Sequence, residues 1–170
     1  MNKIAHLTIF LGVVSAIAGG ALAFANQMTA PIIAQNEAKA AAENLKLMYP
    51  DATQEDIMTV DITGIDSSTI TDVYRYGDNL IFKMSVAGYK GGTTFLVSIN
   101  VNDHTIDNYQ GISNGDTKGL GSQVLEEPFK EGLLGKDAGG QLDTISGATI
   151  SSSNVIKGIL EACGYVDQLK

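Results

Sequence analysis

The chain has no tryptophan, one cysteine, three prolines and two histidines among its 170 residues. A lone Cys163 excludes an internal disulfide and any cysteine-rich metal or cluster site, and His6 and His104 are too few to complete a soft-ligand metal constellation. Positive charge is also scarce, with 11 basic residues against 19 acidic ones and a formal net charge of -8. A field of that sign repels phosphate backbones, so nucleic acid is excluded as a partner. The hydrophobic share of 44% excludes disorder by composition and, at this length, leaves room for one compact domain.

Charge of either sign is missing from one stretch. "IAHLTIFLGVVSAIAGGALAFA", Ile4 to Ala25, holds no Lys, Arg, Asp or Glu across 22 residues, enough to cross a bilayer. A cleaved secretory signal is one reading, because "AFA" (Ala23 to Ala25) offers a small-residue exit. An uncleaved anchor is the preferred one, since the apolar run exceeds a usual signal core and passes directly into a helical pattern. Lys3 precedes the run and no further positive charge follows until Lys39. The positive-inside rule therefore puts the N-terminus in the cytoplasm. The expected organisation is a single-pass anchor in the cell membrane over residues 1–26 and an acidic extracytoplasmic domain over residues 27–170.

After the anchor, "MTAPIIAQNEAKAAAENLKLMYP" reads as a separate helix with Thr29 as N-cap, Pro31 in its first turn and Pro50 closing it. Ile32, Ile33, Ala40, Ala41, Leu45 and Met48 supply its apolar side. From Thr69 the pattern changes to short β-type runs, "TITDVYRY", "NLIFKMSVAGY", "TTFLVSINV" and "TIDNYQGI", separated by the turn signals "GD", "KGG" and "NDH". An antiparallel meander follows. "SQVLEEPFKEGLLGK" reads as a short helix broken by Pro128, and "SSNVIKGILEACGYVDQL" as a final helix with Val155, Ile156, Ile159, Leu160, Cys163 and Val166 on one stripe. Cys163 is then a small buried hydrophobe. The fold class is α+β, a central antiparallel sheet flanked by helices and preceded by one N-terminal transmembrane helix.

The chemistry candidate is "DTISGATISSS", Asp143 to Ser153, dense in hydroxyls and placed before the final helix. Ser151, Ser152 or Ser153 can N-cap that helix, which leaves "SGAT" unexplained. Gly147 and Ala148 give an open approach to Thr149, and a helix N-terminus beside it can hold a phosphate through free N–H groups and the dipole. Two further glycine-rich stretches stand out, "AGYKGG" (Ala87 to Gly92) and "DTKGLG" (Asp116 to Gly121). The first reads as a hairpin turn; the second can serve either a turn or the approach of a flat ring. Tyr74, Tyr76, Tyr89 and Tyr109 read as core and strand packing rather than ring-stacking partners.

"DTISGATISSS" resembles the flavinylation motif of the FMN-binding domain family, and the order of span, alanine-rich helix, "AGYKGG", "GLG" and "SGAT" is similar to that of the flavoprotein subunits of Rnf-type electron-transport complexes and of the sodium-translocating NADH:quinone reductase. The resemblance implies FMN joined through its phosphate to Thr149. It further implies Ser146, Gly147 and Ala148 as the surrounding loop, and Asp143 as the acid read by a flavin transferase that uses FAD as FMN donor. "DTKGLG" corresponds to the family's E-T-P-G-L-G loop, with Asp116 and Lys118 replacing Glu and Pro. Thr117, Gly119, Leu120 and Gly121 are then flavin contacts, and Lys118 is expected to loosen the loop and add a charge near the ring.

The implied function is an electron carrier within an ion-translocating ferredoxin:NAD oxidoreductase, with the membrane and the complex's other membrane and redox subunits as partners and no catalytic residues of its own. A flavin carrier of another reductase and a non-redox, membrane-anchored assembly module are the alternatives.

Overall fold

The computed structural model describes residues 3–53 and 55–169, apart from the side chains of residues 5 and 30–42. Two compact units follow one another along the chain, Met1–Glu43 and Asn44–Lys170. Helix α1 runs from Lys3 to Met48. Within it His6–Thr29 is long and apolar enough to cross a membrane, with its side chains exposed. The expected second helix start at Thr29 does not occur. Its hydroxyl donates to the Ala25 carbonyl at 3.0 Å, one turn back, and Pro31 lies far inside the same helix rather than in a first turn. Alanines on both sides of the polar "NQ" step keep the local preference helical, so the change in polarity is not a change in structure. Ile32, Ile33, Ala40 and Ala41 lie outside the described side chains, whereas Leu45 and Met48 are buried, and the helix ends just before Tyr49 and Pro50.

The second unit carries a five-stranded antiparallel meander, β1 (Ile57–Val60), β2 (Ile70–Tyr76), β3 (Asn79–Ala87), β4 (Gly92–Asn100) and β5 (Ile106–Asn114), in sequence order across the sheet. The four expected strands are β2 to β5, and β1 is an addition. Asn79 pairs with Tyr76, leaving Gly77 and Asp78 as a two-residue turn in which Gly77 takes φ 56°. Side chains alternate between the two faces as the period of two requires. Leu80, Phe82 and Met84 of β3 and Phe95, Val97 and Ile99 of β4 point to one core. Ile81 and Leu96 point to the other, where Leu45 and Met48 cover them with Tyr74, Tyr76 and Ile112 at the margin.

The larger core is closed by a 3₁₀ turn (Gly121–Leu125), α2 (Glu127–Leu133) and α3 (Thr149–Leu169). Pro128 does not break α2 but sits in its first turn, where a missing N–H costs no hydrogen bond. Along α3, Val155, Ile156, Ile159, Ala162 and Val166 are buried. Leu160 is 39% exposed instead of lying on that stripe. Cys163 is half-buried at the core's edge, and burial raises its thiol pKa. At Gly158 a side chain would meet Val86, Met84 and Phe95 at 3.1 to 3.3 Å, so α3 lies close against the sheet there.

Candidate functional site

Helix α3 starts at Thr149, three residues before its expected start, and that shift decides the chemistry of the hydroxyl stretch. Ser151, Ser152 and Ser153 are inside the helix and are not its N-cap. Ser152, fully buried, instead accepts the Ile145 amide at 3.0 Å and donates to the Ala148 carbonyl at 2.9 Å. It thereby ties the preceding turn to the first turn of α3. The Ala148 amide bonds the Ile145 carbonyl, and Gly147 takes φ 82°, a conformation that side chains disfavour. Ser152 is the first residue of α3 whose amide finds a carbonyl one turn back, that of Ala148. The amides of Thr149, Ile150 and Ser151 precede the intrahelical ladder and point out of the helix end.

A cleft of about 400 Å³ opens at that helix end, within the roughly 300–1,000 Å³ of small-molecule sites. Three separate segments line it: Tyr89 from the β3–β4 hairpin, Asp116, Thr117, Leu120 and Gly121 from the loop after β5, and Gly147 to Ser151 from the start of α3. Thr149 is exposed in this cleft, and so are three apolar side chains, Tyr89 at 66%, Leu120 at 51% and Ile150 at 51%. Apolar groups held open to water beside a helix N-terminus suit a ligand with an anionic end and a flat apolar body.

Asp116 joins the segments. Its carboxylate accepts the Lys90 and Gly91 amides at 2.7 and 3.1 Å on one oxygen and the Ser151 hydroxyl at 2.6 Å on the other. Burial pushes its pKa upward, but the Ser151 hydroxyl and the amides of Lys90, Gly91 and Tyr89 outweigh this and hold it well below the usual carboxylate range. Behind it, Asn114 accepts the Asp116 amide and donates to Thr93. Lys118 is exposed beside it, in a turn closed by bonds from Leu120 N–H to the Thr117 carbonyl, Gly119 N–H to Ser122 Oγ and Gln123 Nε2 to the Gly119 carbonyl.

The sequence-predicted residues do not all meet. Thr149, Gly147, Ala148, Thr117, Leu120 and Gly121 line the cleft, whereas Ser146 and Gly119 shape its turns, Gly119 at φ 78°. Asp143 borders a neighbouring groove of about 230 Å³ with Thr144, Ile145 and Phe129. There it pairs with Lys136 at 2.8 Å, and that hydrogen bond lowers its pKa. Of the tyrosines, Tyr109 is buried and donates to the Val124 carbonyl, and Tyr74 and Tyr76 pack on the smaller core. Tyr89 does not fit the packing expectation, being exposed on the cleft wall. Its signal was its place between glycines, in a turn that has no packing use for a ring.

Residues 88–164 match the FMN-binding domain family, a range that contains the hairpin turn, the 116–121 loop and the first turn of α3. Over nearly its whole length the chain is 27% identical to the G subunit of the ion-translocating oxidoreductase complex of Methanosarcina acetivorans, covering 97% of this chain and 95% of that one. It is 25% identical to the protein of the same name from Stutzerimonas stutzeri, over 96% and 81% of the two chains. The G subunit of the proton-translocating ferredoxin:NAD(+) oxidoreductase complex of Clostridium ljungdahlii is 24% identical, over 97% and 92%.

Proposed function

We propose that residues 88–164, which match the FMN-binding domain family, hold FMN as their cofactor, and that the chain is the membrane-anchored flavoprotein subunit of an Rnf-type, ion-translocating electron-transport complex, carrying FMN on Thr149. The observation that carries the attachment is the exposed Thr149 hydroxyl on the first turn of α3, inside the cleft. The relatives' names and their end-to-end coverage support the complex. The other membrane and redox subunits are then its partners.

In this reading a flavin transferase joins Thr149 Oγ1 to the FMN phosphorus of FAD. One P–O bond forms, the pyrophosphate bond breaks, AMP leaves and the hydroxyl proton passes to the transferase, which reads Asp143. The residues present fit the group. The outward-pointing amides of Thr149, Ile150 and Ser151 and the helix dipole stabilise the phosphodiester charge. Gly147 keeps side-chain bulk off the turn, and the exposed Leu120 and Ile150 would cover apolar ring surface. Bound FMN supplies reversible electron uptake; the chain supplies tether, orientation and exclusion of water. A covalent tether would also remove cofactor dissociation outside the membrane, the side for which the charge around the anchor speaks.

Co-expression with a flavin transferase, denaturation and a gel viewed under ultraviolet light test the attachment. Wild type gives a fluorescent band and Thr149→Ala a dark one. A dark wild-type band sinks the attachment, and a bright Thr149→Ala band moves it to another residue. Co-purification from membranes with the other complex subunits tests the assembly; isolation as a free, active carrier speaks for another reductase system.

A further inference from the structure

Tyr89 stands at the tip of the β3–β4 hairpin, exposed, while the backbone beneath it is held from several sides. Gly88 and Gly121 leave room for the Asp116 side chain: a Cβ at Gly88 would lie 2.2 Å from its Oδ2, and one at Gly121 would lie 2.4 Å from its Cβ. On the far side of the turn, a Cβ on Gly91 would lie 2.7 Å from the Gly115 Cα. Asn154 of α3 donates to the Ala87 carbonyl at 2.8 Å. Asp116 itself bridges the hairpin amides to the Ser151 hydroxyl of α3. With so many fixed partners the turn holds the Tyr89 backbone in one place, and the residue lines the cleft that holds Thr149.

A four-residue hairpin turn has no need of a ring, and this one leaves Tyr89 66% exposed. Leu120 and Ile150, the other exposed apolar groups of the cleft, are aliphatic and offer no flat face. An aromatic ring is the surface on which a flat, conjugated ring system gains most from contact. We propose that Tyr89 is the stacking partner of the flavin ring and that Asp116 positions it by clasping the hairpin to α3. The inference rests on FMN being attached at Thr149. Asp116 acts through Tyr89, because its carboxylate oxygens are already occupied by the hairpin amides and the Ser151 hydroxyl.

The test uses the full-length protein, flavinylated by a co-expressed transferase and kept in detergent, with flavin emission normalised to absorbance before and after denaturation. An electron-rich phenol or indole ring in contact with a flavin quenches its emission, whereas phenylalanine and alanine do not. Wild type and Tyr89→Trp are expected to be dim when native and to brighten severalfold on denaturation. Tyr89→Phe and Tyr89→Ala are expected to be bright already in the native state, and folding is safe there because the side chain is exposed. Asp116→Asn and Ser151→Ala, each still melting cooperatively, are expected to fall between. Ser151→Ala removes only the α3 end of the clasp, so it decides the point if Asp116→Asn does not fold. Native Tyr89→Ala as dim as wild type, with an equally bright denatured band, overturns the stacking. A bright Tyr89→Ala beside a Ser151→Ala and a folded Asp116→Asn that both match wild type overturns the positioning role. A dark wild-type band on the denaturing gel overturns the attachment reading itself, which keeps the two failures apart.

Discussion

Asp116 shows how one side chain can set the acid tolerance of a site. Its folded pKa is held below the ordinary carboxylate value of about 3.9 by the Ser151 hydroxyl and the hairpin amides acting against burial. A depressed carboxylate contributes stability that is complete above the unfolded pKa and is lost as pH falls toward the folded one. The window therefore opens near about pH 4 and extends downward. Asp116→Asn keeps the shape but turns an acceptor into a donor facing the Lys90 and Gly91 amides or the Ser151 hydroxyl. It should lower the urea midpoint at neutral pH, and the gap to wild type should narrow as pH drops from about 7 to about 3. A gap that stays constant over that range would show that the charge is not what the clasp uses. The sequence marked Asp116 only as a variation in a flavin loop. Two of its partners are backbone amides, which have no sequence signature; the available hint was the surplus of glycines in two turns, since a side chain at Gly88 or Gly121 would collide with Asp116.

Element by element, the strands and the main helix face were legible because hydrophobic burial writes a period into sequence, and polar junctions were not. Phe82, Met84, Phe95 and Val97 alternate with Ile81 and Leu96, so β3 and β4 could be read directly. β1 could not, because it has four residues of which the middle two, Met58 and Thr59, face solvent. The start of α3 at Thr149 is hidden in the sequence for a related reason. Thr, Ile and Ser are weaker helix formers than Ala or Leu, and the hydroxyls of Thr and Ser suit caps. Here the long-range bond to Asp116 and the back-bonds of Ser152 draw them into the helix. That account predicts a particular sensitivity at Ser152. Replacing it with alanine strands the partly buried Ile145 amide and should cost about 1–3 kcal/mol. The urea midpoint should fall with an unchanged slope. Flavin incorporation should fall with it, since the same bond fixes the turn that presents Thr149. A Ser152→Ala protein as stable as wild type would mean that the turn is held by the Ala148–Ile145 bond alone.

For the whole molecule, the distribution of charge connects the anchor to the chemistry. The segment His6–Thr29 can span a bilayer, Lys3 lies on one side of it, and the other side has no basic residue before Lys39. Basic residues near a span are retained in the cytoplasm, so the orientation proposed for the chain has the flavin domain facing outward. A phosphatase active only outside the cytoplasm, fused after Lys170, should therefore be active, and a fluorescent protein that matures only inside should stay dark at the same position. If charge sets this orientation, Asn26→Lys and Gln27→Lys together with Lys3→Glu should reduce phosphatase activity and light the fluorescent fusion. A wild-type fusion that is bright and lacks phosphatase activity would place the domain in the cytoplasm. Free FMN would then be available to replace any that was lost, and the need for a covalent bond at Thr149 would lose its physical reason. The topology experiment therefore bears on the attachment chemistry as well as on the anchor.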